Sequence, residues 1–359
     1  MAVSNIAGNS TAKRVLLHTA TEGKHGTAFI FSGEENSGKN FAALQFAKVL
    51  NCLSPKADGD CCDGCDNCRL LDKTLGMLDE QGGQQYPHPD IKYVNTEKSQ
   101  ISKELVREAV SEINAFRGVQ LKKKILIIND AERMNAPAAN SILKIVEEPN
   151  QNVVFMLVVN NTEEMLPTIL SRCRRIDLRR ASPADMRKAL QASRPDWDAV
   201  QIGEAVEFSS GRIGDALRYK EIKEEMRDAA SIFMAVSGRQ DNVEAIFEAV
   251  KHVEELYKRE KEREKKAKKT GIARIFLLDI IRILSYIYRD YMLEKTGIKT
   301  ALRPRYGISL SDVRNYAPGK IISILRLLER SGADVEANAN VGVVFSNLLF
   351  QIRKEGLNI

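Results

Sequence analysis

Short apolar runs alternate with helically spaced apolar residues between positions 28 and 175. A run that is apolar at nearly every position is typical of a strand buried on both faces of a sheet. Helical stretches between such strands are typical of a parallel sheet with helices on both faces. We therefore predict an α/β region with five strands, at Ala28–Phe31, Ile91–Val94, Lys124–Ile128, Val153–Val159 and Arg175–Leu178.

Beyond residue 180 the apolar positions keep helical spacing only. Short helical patterns begin at a turn and capping signal, Ala181–Asp185, and extend to about Lys223. From there to Ile359, breaks at glycine and proline leave about five long helices. The most apolar segment, Ile272–Met292, contains charged residues at helical spacing, so we predict a core helix and not a membrane span.

The size and composition limit the possible classes of protein. A chain of 359 residues is too long for one compact core, so we expect two or three domains. Its 43% hydrophobic and 28% charged residues are typical of a soluble globular protein. The first twenty residues lack the apolar segment of a signal peptide, so we expect a cytoplasmic protein with no membrane partner.

Most of the net charge of +6 comes from one segment, Lys258–Lys269, which contains eight lysines and arginines and three glutamates. This segment contributes +5, so the remainder of the chain is close to neutral. Two explanations are open: a solvated helix with ion pairs four residues apart, or a patch that contacts phosphates. The overall charge therefore says little about nucleic-acid binding.

Residues 33–40 read Gly-Glu-Glu-Asn-Ser-Gly-Lys-Asn and follow the first predicted strand. The pattern G-x-x-x-x-G-K-[ST] forms a phosphate-binding loop, in which backbone N–H groups and the lysine contact phosphates and the hydroxyl binds Mg²⁺. Gly33, Gly38 and Lys39 match this pattern, and a helical pattern follows them. The sequence therefore predicts a strand, a phosphate loop and a helix.

Three residues of this loop are unsuited to nucleotide hydrolysis. Asn40 stands where the pattern requires a hydroxyl for the metal, and Glu34 and Glu35 place carboxylates on a loop that binds anions. At an effective dielectric constant of about 20, a like charge about 4 Å away costs roughly 4 kcal/mol. We interpret Lys39 as a residue that neutralises Glu34 and Glu35, and we expect nucleotide binding to be weak or lost.

Five of the six cysteines are Cys52, Cys61, Cys62, Cys65 and Cys68. In a cytosolic chain, clustered C-x-x-C spacings indicate a metal site before a disulfide. Cys52, Cys62, Cys65 and Cys68 would supply four thiolates to a tetrahedral Zn²⁺, leaving no open position, so the site would be structural. Cys61 could exchange with Cys62 as a ligand, and a set of free or redox-active thiols is the alternative.

Further sequence runs follow the phosphate loop and the cysteines in a fixed order. They are His88–Asp90 (HPD), Lys124–Met134 (KILIINDAERM), Ala138–Lys144 (AANSILK), Glu147–Pro149 (EEP) and Leu170–Arg174 (LSRCR). Together they resemble the clamp-loader branch of the AAA+ proteins, over residues 9 to about 220. The resemblance implies an AAA+ domain at 1–180 with the zinc module at 52–68, a helical lid at 181–222 and a helical collar for oligomerisation at 223–359.

In this family, motor subunits hydrolyse ATP with an Asp-Glu pair at the end of the third strand. The resemblance places that pair on Asn129 and Asp130, so an amide replaces the carboxylate that holds the metal. If the correspondence is shifted by one residue, the acidic pair falls on Asp130 and Ala131. The alanine would then replace the catalytic glutamate, which would equally prevent hydrolysis. The sensor-1 region corresponds to Asn160 and Asn161, whose amides remain able to contact phosphate.

The sensor-2 arginine of motor subunits corresponds here to Gly214, before Asp215. We expect Arg212, two residues earlier, to project from another side of the helix. Because phosphoryl transfer depends on the positions of these missing groups, the resemblance implies no independent ATPase or polymerase activity. The chain would instead be a subunit of a DNA-directed DNA polymerase III holoenzyme, which is a nucleotidyltransferase.

Arg172 lies in a Ser-Arg-Cys motif that carries an arginine finger in this family. The resemblance implies that Arg172 enters the ATP site of a neighbouring subunit, at the end of a helix predicted from Glu163 to Leu170. Arg174 and Arg175 follow it. An ordinary surface arginine is the alternative.

The resemblance thus implies a non-hydrolysing subunit of the clamp loader of DNA polymerase III. Its partners would be motor (gamma/tau) and delta subunits in a hetero-oligomeric ring, the sliding clamp, and primer–template DNA through the complex. One alternative is an ATP-hydrolysing, gamma/tau-like motor subunit. A second is a zinc-dependent DNA-binding protein with a vestigial nucleotide fold, which the near-neutral charge of the first part of the chain disfavours.

Overall fold

The computed structural model describes residues 2–357 except 22–27, 82–87, 96–99, 116–117, 148–151, 221, 240–242, 268–271, 299, 301, 303–305 and 338. Glu148 and Pro149 of the EEP run, and Lys268 and Lys269 of the basic segment, lie outside the described residues. The chain divides after Leu217 into two compact units, the first α/β and the second helical. The finer division at residues 180 and 222 stays a prediction.

Five parallel strands form the sheet of the first unit in the order β2-β3-β4-β1-β5. All five predicted strands are confirmed, and the α/β prediction with them. Every residue of β1, β3 and β4 is buried, because helices cover both faces of the sheet. The strands are Ala28–Ser32 (β1), Ile91–Val94 (β2), Lys124–Ile128 (β3), Val153–Val159 (β4) and Arg174–Asp177 (β5).

Strand β5 lies at one edge of the sheet and pairs only with β1. Arg174, Arg175 and Asp177 are exposed along it, and Ile176 is buried. Charged side chains on an edge strand hinder pairing with another chain, which is one ordinary reason for these arginines. The strand begins one residue earlier than predicted.

Nine α-helices of the first unit fall within the described residues. The apolar faces of the helices that precede β5 pack on both sides of the sheet in two clusters of buried side chains, and the last three helices pack on one another. The helices are Ser10–Thr21 (α1), Lys39–Asn51 (α2), Asp66–Gln81 (α3), Lys103–Ala115 (α4), Ala136–Glu147 (α5), Pro167–Leu170 (α6), Pro183–Ser193 (α7), Ala199–Ser209 (α8) and Ile213–Leu217 (α9).

The helix predicted from Glu163 to Leu170 is wrong. A 3₁₀ turn covers Thr162–Glu164, the backbone is extended at Met165, and α6 begins only at Pro167. Proline lacks an N–H and disfavours helical backbone in the residue before it, so it can begin a helix but rarely continues one.

The predicted His88–Asp90 turn precedes β2, and its aspartate organises a second loop. The buried Asp90 carboxylate accepts hydrogen bonds from the N–H groups of Val119, Gln120 and Leu121, at 2.8 to 3.0 Å. Although burial opposes the change, these N–H groups lower the pKa of Asp90. The turn therefore fixes the chain that leads into β3.

The second unit contains five long helices among its described residues, as predicted. They are Lys223–Ser237 (α10), Val243–Ala267 (α11), Ile272–Lys295 (α12), Pro318–Glu336 (α13) and Val341–Gly356 (α14). No helix in the described part of the chain is long and apolar enough to span a membrane.

The basic segment is the C-terminal half of α11, and two of its glutamates are buried. Arg263 contacts Glu260 at 2.9 Å, and Lys261 contacts Glu264 at 3.2 Å. Ion pairs three residues apart are therefore present in this segment, and Lys251 and Glu255, earlier in the same helix, form a pair four residues apart. The explanation that the segment contacts phosphates stays a prediction.

Candidate functional site

The phosphate loop connects β1 to α2, as its sequence pattern predicts. Gly33 and Gly38 have φ values of 155° and 92°, in the region that favours glycine. A Cβ atom at Gly33 would also clash with the carbonyl oxygen of Leu178. Gly38 precedes the first residue of α2 and provides no side-chain cap, so the N-terminus of this helix keeps its N–H groups for an anion.

Lys39 is buried, with 6% of its surface exposed. Its Nζ donates hydrogen bonds to the carbonyl oxygen of Glu34, at 2.6 Å, and to Oδ1 of Asn160, at 2.9 Å. Burial lowers the pKa of Lys39. Lys39 thus contacts the backbone of Glu34, and the interpretation that it neutralises the carboxylates of Glu34 and Glu35 stays a prediction.

The Glu34 carboxylate contacts arginines instead. Arg180 Nε donates to both carboxylate oxygens, at 3.0 and 2.9 Å, and Arg212 Nη1 lies 4.0 Å from Oε2. The hydrogen bond from Arg180 lowers the pKa of Glu34. Arg180 was missed by the sequence analysis, because 146 residues separate it from Glu34.

The predicted nucleotide-site residues lie together at the carboxyl ends of the strands. Asn40 Nδ2 donates to Asn129 Oδ1 at 2.9 Å, and Asn129 Nδ2 donates to Asp130 at 3.2 Å. Asn160 Nδ2 donates to Asp130 at 3.1 Å and to Glu132 at 2.8 Å. Asn129 follows directly after β3, which supports the gap-free correspondence with the acidic pair. Glu132 is an additional member that the sequence analysis did not identify.

This network has a chemical consequence. Mg²⁺ prefers carboxylate and hydroxyl oxygens in an octahedral arrangement. The two positions nearest to a bound metal carry amides, Asn40 and Asn129, which are hydrogen-bonded to one another. Asn40 and Asn129 thus belong to one hydrogen-bond network, in which Asn40 Oδ1 has no partner among the described residues.

The short helix α9 packs directly on the tip of the phosphate loop. Gly214 N–H donates to the carbonyl oxygen of Asn36 at 2.9 Å, and Asn36 Nδ2 donates to Asp215 at 2.8 Å. A Cβ atom at Gly214 would lie 3.0 to 3.2 Å from Asn36. The residue at the sensor-2 position is thus a glycine that leaves room for the loop.

Arg212 lies outside α9, so the expected projection from another side of that helix does not apply to it. It precedes the first residue of α9, where helical spacing does not apply, and its Nε donates to Asp215 at 2.7 Å. Its guanidinium faces the carboxylate of Glu34, with Nη1 4.0 Å from Oε2.

Four thiols form a compact cluster. The Sγ atoms of Cys52, Cys62, Cys65 and Cys68 all lie within 4.8 Å of one another, and could hold a metal ion. The Cys52–Cys65 and Cys62–Cys68 pairs are 4.0 and 3.9 Å apart. Zn–S bonds of about 2.3 Å in a tetrahedron require S···S distances of roughly 3.8 Å, so the cluster fits this ion. Cys61 is not a member: it is buried, with Sγ 3.5 Å from Asp63.

Helix α2 also supports the cysteine module through a lysine that the sequence analysis missed. Lys48 has no exposed side-chain surface, and its Nζ lies 2.5 Å from Asp63 and 2.6 Å from Asp72. Asp63 lies between two of the clustered cysteines, and Asp72 lies on α3. The module is therefore attached to the same helix that begins at Lys39.

Arg172 lies after α6, two residues before β5. Its side chain is 38% exposed, and Nη2 lies 2.8 Å from Oε1 of Glu147 at the end of α5. Nη1 donates to the carbonyl oxygen of Thr168 at 3.0 Å. The guanidinium is therefore on the surface. It is held by the carbonyl oxygen of Thr168 in α6 and by the carboxylate of Glu147, whose side chain is 48% exposed.

Comparison with known proteins shows that part of this chain is similar to subunits of DNA polymerase III. Residues 8–182 match the family model described as DNA polymerase III, delta subunit. The chain is 32% identical to DNA polymerase III subunit delta' of Bacillus subtilis (strain 168) over 170 residues, which is 47% of each chain. It thus spans about half the length of this relative.

Two further similarities extend to related subunits. The chain is 25% identical to DNA polymerase III subunit tau of Bacillus subtilis (strain 168) over 219 residues, 59% of this chain and 36% of that one. A crystal structure of a gamma subunit-related protein of DNA polymerase III from Thermotoga maritima MSB8 superposes with a TM-score of 0.49 at 16% identity, over 95% of this chain and 99% of that one.

Proposed function

We propose that this chain is a delta-prime-like clamp-loader subunit that does not hydrolyse ATP itself, and the family match over residues 8–182 supports this proposal. The observation that carries the proposal is the hydrogen-bond network around the phosphate loop. Lys39 is hydrogen-bonded to the loop's own backbone, and Asn40 to Asn129. A functional site would direct both positions toward Mg²⁺ and the phosphates.

The proposed role of Arg172 is to complete the ATP site of a neighbouring subunit. A guanidinium is always charged and can contact two phosphate oxygens at once. The contact between Arg172 and Glu147 does not oppose this role, because both side chains are more than a third exposed. Such a surface pair contributes about 0–1 kcal/mol, so a phosphate group can replace the carboxylate.

The cysteine cluster is proposed to hold a structural Zn²⁺. Four thiolates would satisfy the ion completely, so it would supply folding energy and no catalysis. Cys52, Cys62, Cys65 and Cys68 would be the ligands, and Lys48 would fasten the module to α2. We assign Cys61 no role as a ligand, since its thiol points to Asp63.

The helices beyond Leu217 are proposed to form the collar that joins the chain to a ring. The partners would be motor (gamma/tau) and delta subunits, and the assembled ring would open the sliding clamp at primer–template DNA. The similarity to tau keeps a motor role as the second candidate. Asn40, Asn129 and Gly214 disfavour that candidate, because each replaces a residue that hydrolysis requires.

Reconstitution tests this proposal. The chain alone should hydrolyse no ATP above background in the presence of Mg²⁺. Mixed with motor and delta subunits, it should enter a complex of defined stoichiometry and raise the ATPase rate of that complex in the presence of clamp and primed DNA. Metal-dependent hydrolysis by the isolated chain, lost in Lys39→Ala, would favour the motor role instead.

A further inference from the structure

The phosphate loop retains most of the parts that bind an anion. Its helix has no side-chain cap, and Lys39 is more than nine-tenths buried beside it. The Ser37 hydroxyl is buried in the loop and has no hydrogen-bond partner among the described residues. It lies against Gly33, where an added Cβ would be 3.0 Å from Ser37 Oγ. These features indicate a site that can still accept a polar ligand.

A cleft of about 550 Å³ opens beside the loop. Small-molecule sites in proteins are typically about 300–1,000 Å³, so a nucleotide-sized ligand fits. Gly33, Glu34, Arg175, Arg179 and Arg180 line part of the cleft. Two carboxylates also line the cleft: Asp177 pairs with Arg175, and Glu34 pairs with Arg180.

The carboxylate of Glu34 lies where it can neutralise the positive charge of the arginines that line the cleft. Its two oxygens accept hydrogen bonds from Arg180, and Arg212 approaches one of them. The next residue, Glu35, is also exposed but forms no salt bridge in the part of the chain that the structure describes. Both carboxylates favour the charged form of Lys39, and of the two only Glu34 contacts arginines in the described part of the chain.

We propose that the carboxylate of Glu34 is an internal counter-ion that takes the place of phosphate, and that its removal restores the binding of nucleoside polyphosphates without restoring hydrolysis. Binding would return because Arg180 in the lining would lose its carboxylate partner, while Asp177 would stay paired with Arg175. Hydrolysis would not return, because Asn40 and Asn129 are unchanged. This inference does not depend on the role of Arg172 or on assembly with partners.

A second explanation for the expected weak nucleotide binding is a loop too distorted to receive phosphate. In that case the charge of Glu34 would not affect nucleotide affinity. The two explanations are separated by titrating a fluorescent methylanthraniloyl-ADP into the full-length chain, with inorganic pyrophosphate as competitor. Wild type, Glu34→Ala and Glu35→Ala are compared first. The Glu34→Ala/Lys39→Ala double variant then tests whether binding uses the phosphate loop. Equal thermal unfolding temperatures establish that the loop variants are folded.

We expect Glu34→Ala to bind about fivefold more tightly than wild type, because Glu34 and Arg180 are both about half exposed and water screens the charge that is removed. Glu35→Ala should stay within about threefold of wild type, and the double variant should return to the wild-type affinity. Pyrophosphate should displace the nucleotide. The proposal is overturned if Glu34→Ala binds no more tightly than wild type, if Glu35→Ala gains as much, or if the gain survives the loss of Lys39.

Discussion

Replacing Lys48 tests how the cysteine module is held on the helix of the phosphate loop. Its ammonium group is completely buried between Asp63 and Asp72, at 2.5 and 2.6 Å. Lys48→Met keeps most of the apolar stem and removes the charge. Lys56→Met is the matched control, because Lys56 lies 3.9 Å from the same Asp63 but is 47% exposed.

The magnitude follows from the exposure of the carboxylates that remain. Removing one partner of a fully buried ion pair costs about 3–5 kcal/mol, because the other charge stays buried. Asp63 and Asp72 are 34% and 38% exposed, so water can compensate in part. We therefore expect Lys48→Met to lower the free energy of unfolding by about 2–3 kcal/mol, and Lys56→Met by less than about 0.5 kcal/mol.

Urea unfolding followed by tryptophan fluorescence measures both changes by linear extrapolation. The chain has one tryptophan, Trp197, which is buried in the same compact unit as the module. Adding Asp63→Asn and Asp72→Asn to Lys48→Met should recover part of the loss, because the two facing charges are removed. A cost for Lys48→Met no larger than that for Lys56→Met would refute the reasoning.

Three further changes test the metal cluster, the second loop and the collar. Cys65→Ser should remove about one equivalent of zinc while Cys61→Ser retains it; elemental analysis decides, and a metal-free wild type would contradict the assignment. Asp90→Asn should lower the free energy of unfolding by about 2–4 kcal/mol at pH 7, measured by urea unfolding. Because the folded pKa of Asp90 is lowered, this stabilisation is present above about pH 4 and is lost as the pH falls further, so the two proteins should converge in acid. A chain ending at Leu217 should fold and bind zinc but fail to co-purify with partner subunits; normal stoichiometry would place assembly elsewhere.

The strands and the cysteine cluster could be predicted because their signals are local. A strand buried on both faces, such as β4, is apolar at every position whatever packs against it. Cys62, Cys65 and Cys68 are close in the sequence, and C-x-x-C spacing by itself brings thiols together. The edge strand β5 was predicted one residue late, since its exposed arginines hide the apolar pattern.

The charged contacts of the site could not be predicted because their partners are distant in the sequence. Glu34 meets Arg180, and Asn36 meets Asp215, across more than 140 residues. No periodic pattern specifies such pairs, which depend on how α9 and the end of β5 approach the loop. Helical spacing likewise gave no information on the direction of Arg212, because this residue lies outside the helix.

The central claim is that this chain completes the site of another subunit and does not use its own. It is tested most directly by the ATPase rate of the reconstituted complex with clamp and primed DNA. An arginine finger contributes about 10³–10⁵ in rate at the site that it serves, so Arg172→Ala should remove the turnover of that one site. Lys39→Ala, and Arg174→Ala as the control on the neighbouring exposed arginine, should leave the rate near wild type. A complex that is inactivated by Lys39→Ala and unaffected by Arg172→Ala would contradict the account, because the chain would then be the motor.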